Sequence, residues 1–258
     1  SSVALEPSYF DKTNDYPAGH REQDYFVTVQ NCGVTLDENG RKVLVTEDIR
    51  NGNGRTIKSR YSTPNRVDKI KEPIQSIFWI MKDDALPPLV KITDPRLASI
   101  LGCTLMTKRS TAENTGAGAN LDALVIEPYA NPFRVYPLVE DYEKFKALFD
   151  KGVDCYIINT GDFLGKKVTK EVSLGVIETV VDGKANFELF GGLPGMEYLP
   201  VEGYEVPDMN GEYAELIRDR MQFRLDYLKA FNDANPEHQI PQDALESIKT
   251  IERFIDVL

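Results

Sequence analysis

Asp141-Tyr142-Glu143-Lys144-Phe145-Lys146-Ala147-Leu148-Phe149-Asp150-Lys151-Gly152, running on into Val153-Asp154-Cys155-Tyr156-Ile157-Ile158, is the stretch that decides the fold. Tyr142, Phe145, Leu148 and Phe149 share one face of a helix. Asp141 can cap its start, and Gly152 can end it with a positive φ. The run Cys155 to Ile158 is short, apolar and bounded by polar residues, which marks a buried strand. Ile77-Phe78-Trp79-Ile80-Met81 has the same character and reads as a strand buried on both faces. Residues 172–181 then look helical. The order helix, strand, polar turn, helix predicts an α/β protein with a mixed sheet flanked by helices.

Outward from this core, the first quarter is β-rich, and the opening segment 1–60 reads as strands and turns. Residues 1–24 show little periodicity and read as irregular. Tyr25 to Val29, Val43 to Val45 and Thr56 to Tyr61 read as strands. Asp37-Glu38-Asn39-Gly40 and Asn51-Gly52-Asn53-Gly54 read as turns, because Asn-Gly readily supplies the positive φ of a tight hairpin. Pro87-Pro88 stops any helix there. Arg96 to Met106 reads as a short helix, 107–122 as a loop holding Gly116 and Gly118, and Leu124 to Ile126 as a short strand. Two amphipathic helices close the chain. Tyr213, Ile217, Met221, Leu225 and Leu228 form the apolar stripe of one, and Leu245, Ile248, Ile251, Ile255 and Leu258 that of the other. The whole of 1–258 is expected to form a single domain. The opening Ser1-Ser2-Val3-Ala4, without an initiator Met, reads as the start of a fragment of a longer chain.

Composition limits the function. The 258 residues are 41% hydrophobic and 28% charged, with a formal net charge of −11, which suits a globular protein. That charge argues against a nucleic-acid surface and against docking on an anionic membrane. There is no run of eighteen apolar residues. Cys32, Cys103 and Cys155 form no Cys-x-x-Cys pair, so a thiolate zinc site is not expected. Their odd number fits a reducing, cytoplasmic compartment. Cys155 lies in an apolar run and reads as a small buried hydrophobe. His20 and His238 stand far from other ligands in sequence, and exposed polar residues are their ordinary reading. No metal site is expected within the chain. No Gly-x-Ser-x-Gly nucleophile motif occurs.

The phosphate loop Gly-x-x-x-x-Gly-Lys-Ser/Thr is absent. Gly161-Asp162-Phe163-Leu164-Gly165-Lys166-Lys167 follows a strand, but its spacing is wrong, and Lys167 replaces the hydroxyl that would ligate Mg2+. The remaining candidates are cations: Arg60 with Arg66 nearby, the pair Lys108 and Arg109, and the pair Lys166 and Lys167. A charge at the carboxyl end of a buried strand sits where α/β folds place ligands. A solvated surface charge is the plainer reading of each.

In order along the chain, several segments resemble the ATP-dependent phosphoenolpyruvate carboxykinases. Arg60-Tyr61-Ser62-Thr63-Pro64 is similar to that family's Arg-x-Ser-x-Pro. Ile77-Phe78 with Leu86-Pro87-Pro88 is similar to its apolar strand and Leu-Pro-Pro. Gly102 to Glu113 is similar to a stretch containing Thr-Ala-Lys-Leu-Ala-Gly-Thr-Glu, with Lys108 and Glu113 on its Lys and Glu. Ile158-Asn159-Thr160-Gly161 with Gly165-Lys166-Lys167-Val168 resembles Val-Asn-Thr-Gly…Gly-Lys-Arg-Ile, one residue shorter. Leu193-Pro194-Gly195 falls near the family's Leu-Pro-Gly. The resemblance covers roughly residues 9–230. Shared order carries it, and Asn-Thr-Gly…Gly-Lys is its most specific part.

The resemblance implies the C-terminal domain of such an enzyme, converting oxaloacetate and ATP to phosphoenolpyruvate, CO2 and ADP. It assigns phosphate contact to Arg60, whose planar guanidinium suits the task. It assigns the nucleotide pocket to Lys166, Lys167 and Val168, completed by a helix opening near Ser173. Lys167 stands where the family has Arg. The family's phosphate loop and its Mg2+ and Mn2+ ligands precede the point where this chain begins. Metal and turnover are therefore expected only with the N-terminal portion of the same protein as partner, acting on a small-molecule substrate. The alternatives are a non-catalytic nucleotide-binding or regulatory domain, and a structural interaction domain using the closing helices.

Overall fold

The computed structural model describes residues 10–48, 54–59, 61–62, 70–108, 123–131 and 134–257. The chain divides into two compact units. One spans 1–73 and 108–123, and the other 74–107 and 124–258.

In the first unit, β1 (Phe10–Lys12), β5 (Arg55–Lys58) and β2 (Phe26–Gln30) form an antiparallel sheet with β5 in the middle. The hairpin β3 (Gly33–Leu36) and β4 (Lys42–Val45) stands as a separate pair. Gly40, at φ +75°, makes its turn, as the Asn-Gly signal requires. The partner of β4 is β3, whereas Tyr25 to Val29 supplies β2, which pairs with β5 instead. Residues 10–12 depart from the irregular reading of 1–24, because pairing with β5 rather than local propensity makes them a strand. Lys58 sits beside Tyr16 Oη at 2.9 Å and Asp11 Oδ2 at 3.1 Å, which ties β1 to β5 through side chains.

The second unit is a mixed α/β structure. Its strands are β6 (Ser76–Met81), β7 (Leu89–Ile92), β10 (Asp154–Asn159), β13 (Glu188–Leu189) and β14 (Met196–Tyr198). They lie in the order β13-β14-β7-β10-β6, with β10 parallel to β6 and antiparallel to β7. Between them the chain forms α1 (Pro95–Cys103), β8 (Met106–Lys108), β9 (Leu124–Ile126) and α2 (Leu138–Phe149). β8 and β9 pair with each other. A small hairpin, β11 (Asp162–Phe163) and β12 (Lys166–Lys167), leads into α3 (Lys170–Val181). α4 (Gly211–Ala234) and α5 (Gln242–Ile255) close the unit.

β10 explains the layering. Cys155 and Ile157 face a core formed with α1, α2, α4 and α5, which includes Trp79, Leu101, Tyr142, Ile217 and Ile248. Tyr156 and Ile158 face the other side, where Leu89, Leu199 and Val176 of α3 cover them. Successive side chains point to opposite faces, so a strand covered on both sides carries an unbroken apolar run.

Four expectations need correction. β6 is not buried on both faces: Ile80 is 60% exposed, because β6 is an edge strand and the cluster under α3 extends to Phe78 but not to Ile80. α2 begins at Leu138, a turn before Asp141, and Pro137 rather than Asp141 precedes it. Asp141 instead accepts from Arg134 Nε at 2.7 Å. α1 is shorter than 96–106. Asp94 caps it by accepting from Leu97 N–H at 2.8 Å, and the chain is back in a strand by Met106. α3 opens at Lys170, capped by Thr169 through Val172 N–H, three residues before Ser173. The stripes of α4 and α5 are buried as their periodicity predicts, with Leu258 outside the described residues. Among the described residues no helix is long and apolar enough to cross a membrane.

The thiols give a test of this packing. Cys103 and Cys155 are buried, and burial pushes the Cys103 thiol up to about 12 and the Cys155 thiol well above its ordinary range. Cys32 is half-buried, and burial, Asp48 and Glu47 raise it too. The thiolate is the reactive form, so in native protein at pH 8 a chromogenic disulfide reagent titrates Cys32 alone. Its rate rises about tenfold per pH unit below its pKa. Cys103 and Cys155 react only after unfolding in urea. Reaction of three thiols in native protein at pH 8 contradicts the packing.

Candidate functional site

Parallel neighbours end at the same edge of a sheet. The register pairs Asn159 with Met81, so β10 and β6 finish side by side. Two loops therefore emerge together, Lys82 to Pro88 after β6 and Thr160-Gly161 after β10. The carboxyl ends of such strands are where α/β proteins place ligand-binding groups.

Asn159 joins the two loops. It is fully buried, and its Nδ2 lies 2.8 Å from Asp83 O, 2.6 Å from Leu86 O and 2.9 Å from Asp162 O. Its Oδ1 accepts from Gly161 N–H at 2.9 Å. Thr160 N–H donates to Met81 O at 2.9 Å. A Cβ on Gly161 would come within 3.1 Å of the Lys82 Cβ, so the close approach of the two loops favours glycine there. The Asn-Thr-Gly segment thus works as a clamp on the backbone: its buried carbonyls need donors, and Asn159 supplies them.

A buried ion cluster holds the same loop from the other side. Asp83 and Arg224 are each 1% exposed, with Arg224 Nη2 3.4 Å from Asp83 Oδ2. Arg220 donates from Nε to Asp83 Oδ1 at 3.0 Å and from Nη2 to Asp84 Oδ1 at 2.6 Å. Arg224 Nη1 returns to Arg220 O at 3.1 Å, and Tyr213 Oη donates to Ala85 O at 2.9 Å. Burial pulls the Arg224 guanidinium below its ordinary range, and Asp83 opposes that pull. Burial pulls Arg220 the same way, but Asp84 and Asp83 together outweigh it and hold Arg220 above its ordinary range. Sequence reading missed this cluster, although a signal for it was present. Arg224 falls in the stripe Ile217, Met221, Leu228 of α4, and a cation in an apolar stripe requires a buried carboxylate.

The residues singled out from sequence are placed as follows. Lys166 and Lys167 are exposed on β12, after a two-residue turn in which Leu164 and Gly165 have φ +48° and +80°. Lys166 Nζ donates to Gly203 O at 2.5 Å and lies 4.5 Å from the centroid of the Tyr204 ring. Lys167 Nζ donates to Thr160 O at 3.2 Å, which brings that cation to the carboxyl edge of β10. Val168 is 2% exposed, and its side chain belongs to the main core. Ser173 lies inside α3, with its hydroxyl donating to Thr169 O at 3.1 Å. Lys108 ends β8. Arg60 and Arg109 lie outside the described residues. His20 caps a short 3-10 turn by accepting from Glu22 N–H at 3.2 Å, and His238 is exposed.

Of these residues, then, the structure brings Lys167 to the carboxyl end of β10, and the exposed Lys82 directly follows the neighbouring β6. A shallow depression lined by Lys91, Thr93, Pro95, Phe149 and Asp154 lies at the opposite end of the sheet, where β10 begins. It holds one ion pair, Lys91 with Asp154 at 3.3 Å. Among the described residues no group of three or more His, Cys, Asp or Glu could hold a metal ion. No protein-family model matches this sequence, and no curated protein matches it either.

The two acids at the strand edge differ sharply in consequence. Asp83→Asn strands the Arg224 charge in the interior and lowers the stability of the second unit by about 3–5 kcal/mol. Asp84→Asn removes a half-exposed pair and changes stability by about 1 kcal/mol or less. Urea unfolding followed by the fluorescence of Trp79, the sole tryptophan and a member of this core, measures both. Equal losses for the two variants would contradict the geometry.

Proposed function

We propose that this chain is the nucleotide-facing C-terminal part of a protein resembling the ATP-dependent phosphoenolpyruvate carboxykinases, and that its fold is that of the family's C-terminal domain. In the full protein it would serve conversion of oxaloacetate and ATP to phosphoenolpyruvate, CO2 and ADP. The observation that carries this reading is the position of the most specific shared segment. Asn159-Thr160-Gly161 leaves the carboxyl end of a buried parallel strand and returns Lys167 to that edge.

The described residues fit the proposed ligands unequally. Lys82 and Lys167 are exposed cations at the strand ends and suit the phosphates of ATP. Val168 is committed to the core, so contact with adenine would rest on Lys167 rather than on Val168. No described cluster fits Mg2+ or Mn2+. On this proposal, those ions would be held by the N-terminal portion that the resemblance implies. Arg60 is the cation that the resemblance assigns to phosphate contact. Three free thiols are in keeping with a reducing, cytoplasmic setting.

Lys167 in place of Arg favours a second reading, nucleotide recognition kept without turnover, because an ammonium does not stack on a base as a guanidinium does. Calorimetry and an assay separate the two. ATP and ADP bind this chain, and Lys167→Ala weakens ATP about tenfold, or about 1.4 kcal/mol. The full-length protein is then assayed with oxaloacetate, ATP, Mg2+ and Mn2+. Turnover supports the first reading, and binding without turnover supports the second. Absence of nucleotide binding in both proteins sinks both.

A further inference from the structure

Arg220 divides its guanidinium between two carboxylates of unequal mobility. Asp83 is 1% exposed, and it also accepts from Ala85 N–H at 3.1 Å and from Arg224, so it cannot leave. Asp84 is 51% exposed, against 21% for Arg220. The Asp84 backbone is fixed, since its carbonyl accepts from Leu164 N–H at 2.9 Å. Its side chain can therefore rotate into water while the loop stays in place.

The charge count changes when it does. With Asp84 in contact, two carboxylates face two guanidiniums. With Asp84 turned away, Asp83 alone faces Arg220 and Arg224, and one positive charge is unbalanced. Arg224 keeps its contact with Asp83, so the excess falls on Arg220, which at 21% exposure meets water on one side. This makes a local positive field in a chain of net charge −11. A half-exposed carboxylate-guanidinium pair contributes little net stability, whereas a phosphate group offers two or more oxygens to the guanidinium fork.

We propose that Arg220 anchors a binding site for a phosphate-class anion at the carboxyl edge of β6, and that Asp84 is a tethered competitor displaced when the anion binds. Asp83 and Arg224 hold Arg220 in place and do not touch the ligand. This extends the reading of the edge as phosphate-facing, and it can fail while nucleotide binding through Lys167 stands.

The test titrates the 258-residue chain with inorganic phosphate, pyrophosphate, ATP and adenosine, following heat and Trp79 fluorescence. Asp84→Asn removes the competitor's charge and tightens pyrophosphate about fivefold. Asp84→Ser gives the same sign and serves if the first variant is poorly folded. Arg220→Lys keeps a charge beside Asp83 but loses the fork, and it weakens pyrophosphate about tenfold. Adenosine binding is unchanged in all three. Unchanged or weaker pyrophosphate binding in the folded Asp84 variants overturns the proposal, as does equal binding by wild type and Arg220→Lys. ATP bound with no phosphate or pyrophosphate binding overturns it too, and leaves the nucleotide reading intact.

Discussion

A guanidinium cut off from water has to meet a carboxylate, and in this protein Arg224 meets Asp83. Much of the second unit's organisation can be related to that contact. Arg224 occupies a position on α4 where spacing calls for an apolar residue. Its partner sits in the loop after β6, so α4 is pinned across the end of the sheet. Arg220, one turn earlier, reaches the same carboxylate. Such a pair adds little stability over an apolar pair of equal volume, but losing either half is costly. Its effect is to fix which helix lies beside which loop. The exposed residues of that loop, Lys82 and Asp84, therefore project from a rigid base.

The second constraint is the parallel pairing of β6 and β10. Antiparallel strands would send their following loops to opposite edges of the sheet. Because these two run the same way and end in register, their loops meet, and each carries backbone groups that strand pairing no longer satisfies. Asn159 serves both loops with one side-chain amide. It is the polar counterpart of Cys155 and Ile157 earlier in the strand: those fill space between layers, and Asn159 closes the strand's end. A motif that reads as a ligand signature thus has a structural task of its own, and the groups free to meet a ligand are its neighbours.

Elements set by local rules were legible in the sequence. The stripes of α4 and α5 are buried as spaced, the Asn39-Gly40 turn makes its hairpin, and Cys155 to Ile158 is buried on both faces. Elements set by tertiary neighbours were not. Ile77 to Met81 has the same apolar character as β10, yet Ile80 is exposed, because the sequence records hydrophobicity and not how many strands lie alongside. Phe10 to Lys12 is a strand only because β5 is available to pair with it. At the site, the lysines were visible from their position after a strand, but their surroundings were not. Val168 follows Lys167 directly and still turns inward, since alternation along an extended chain sends adjacent side chains to opposite sides. Asp83 and Arg224 lie 141 residues apart, and no spacing rule joins them.

That separation bears on which reading of the strand edge is the stronger. Exposed lysines at strand ends are common, and by themselves they say little about ligands. What distinguishes this edge is that a guanidinium is already held there by a buried acid, while its second partner is half in water. A site that only stabilised the fold would gain by covering Asp84 or by replacing the cluster with apolar residues. Keeping one carboxylate buried and one exposed on the same arginine leaves the cation fixed in position and open to exchange of partner. On the proposal made for Arg220, the incoming partner is a phosphate-class anion.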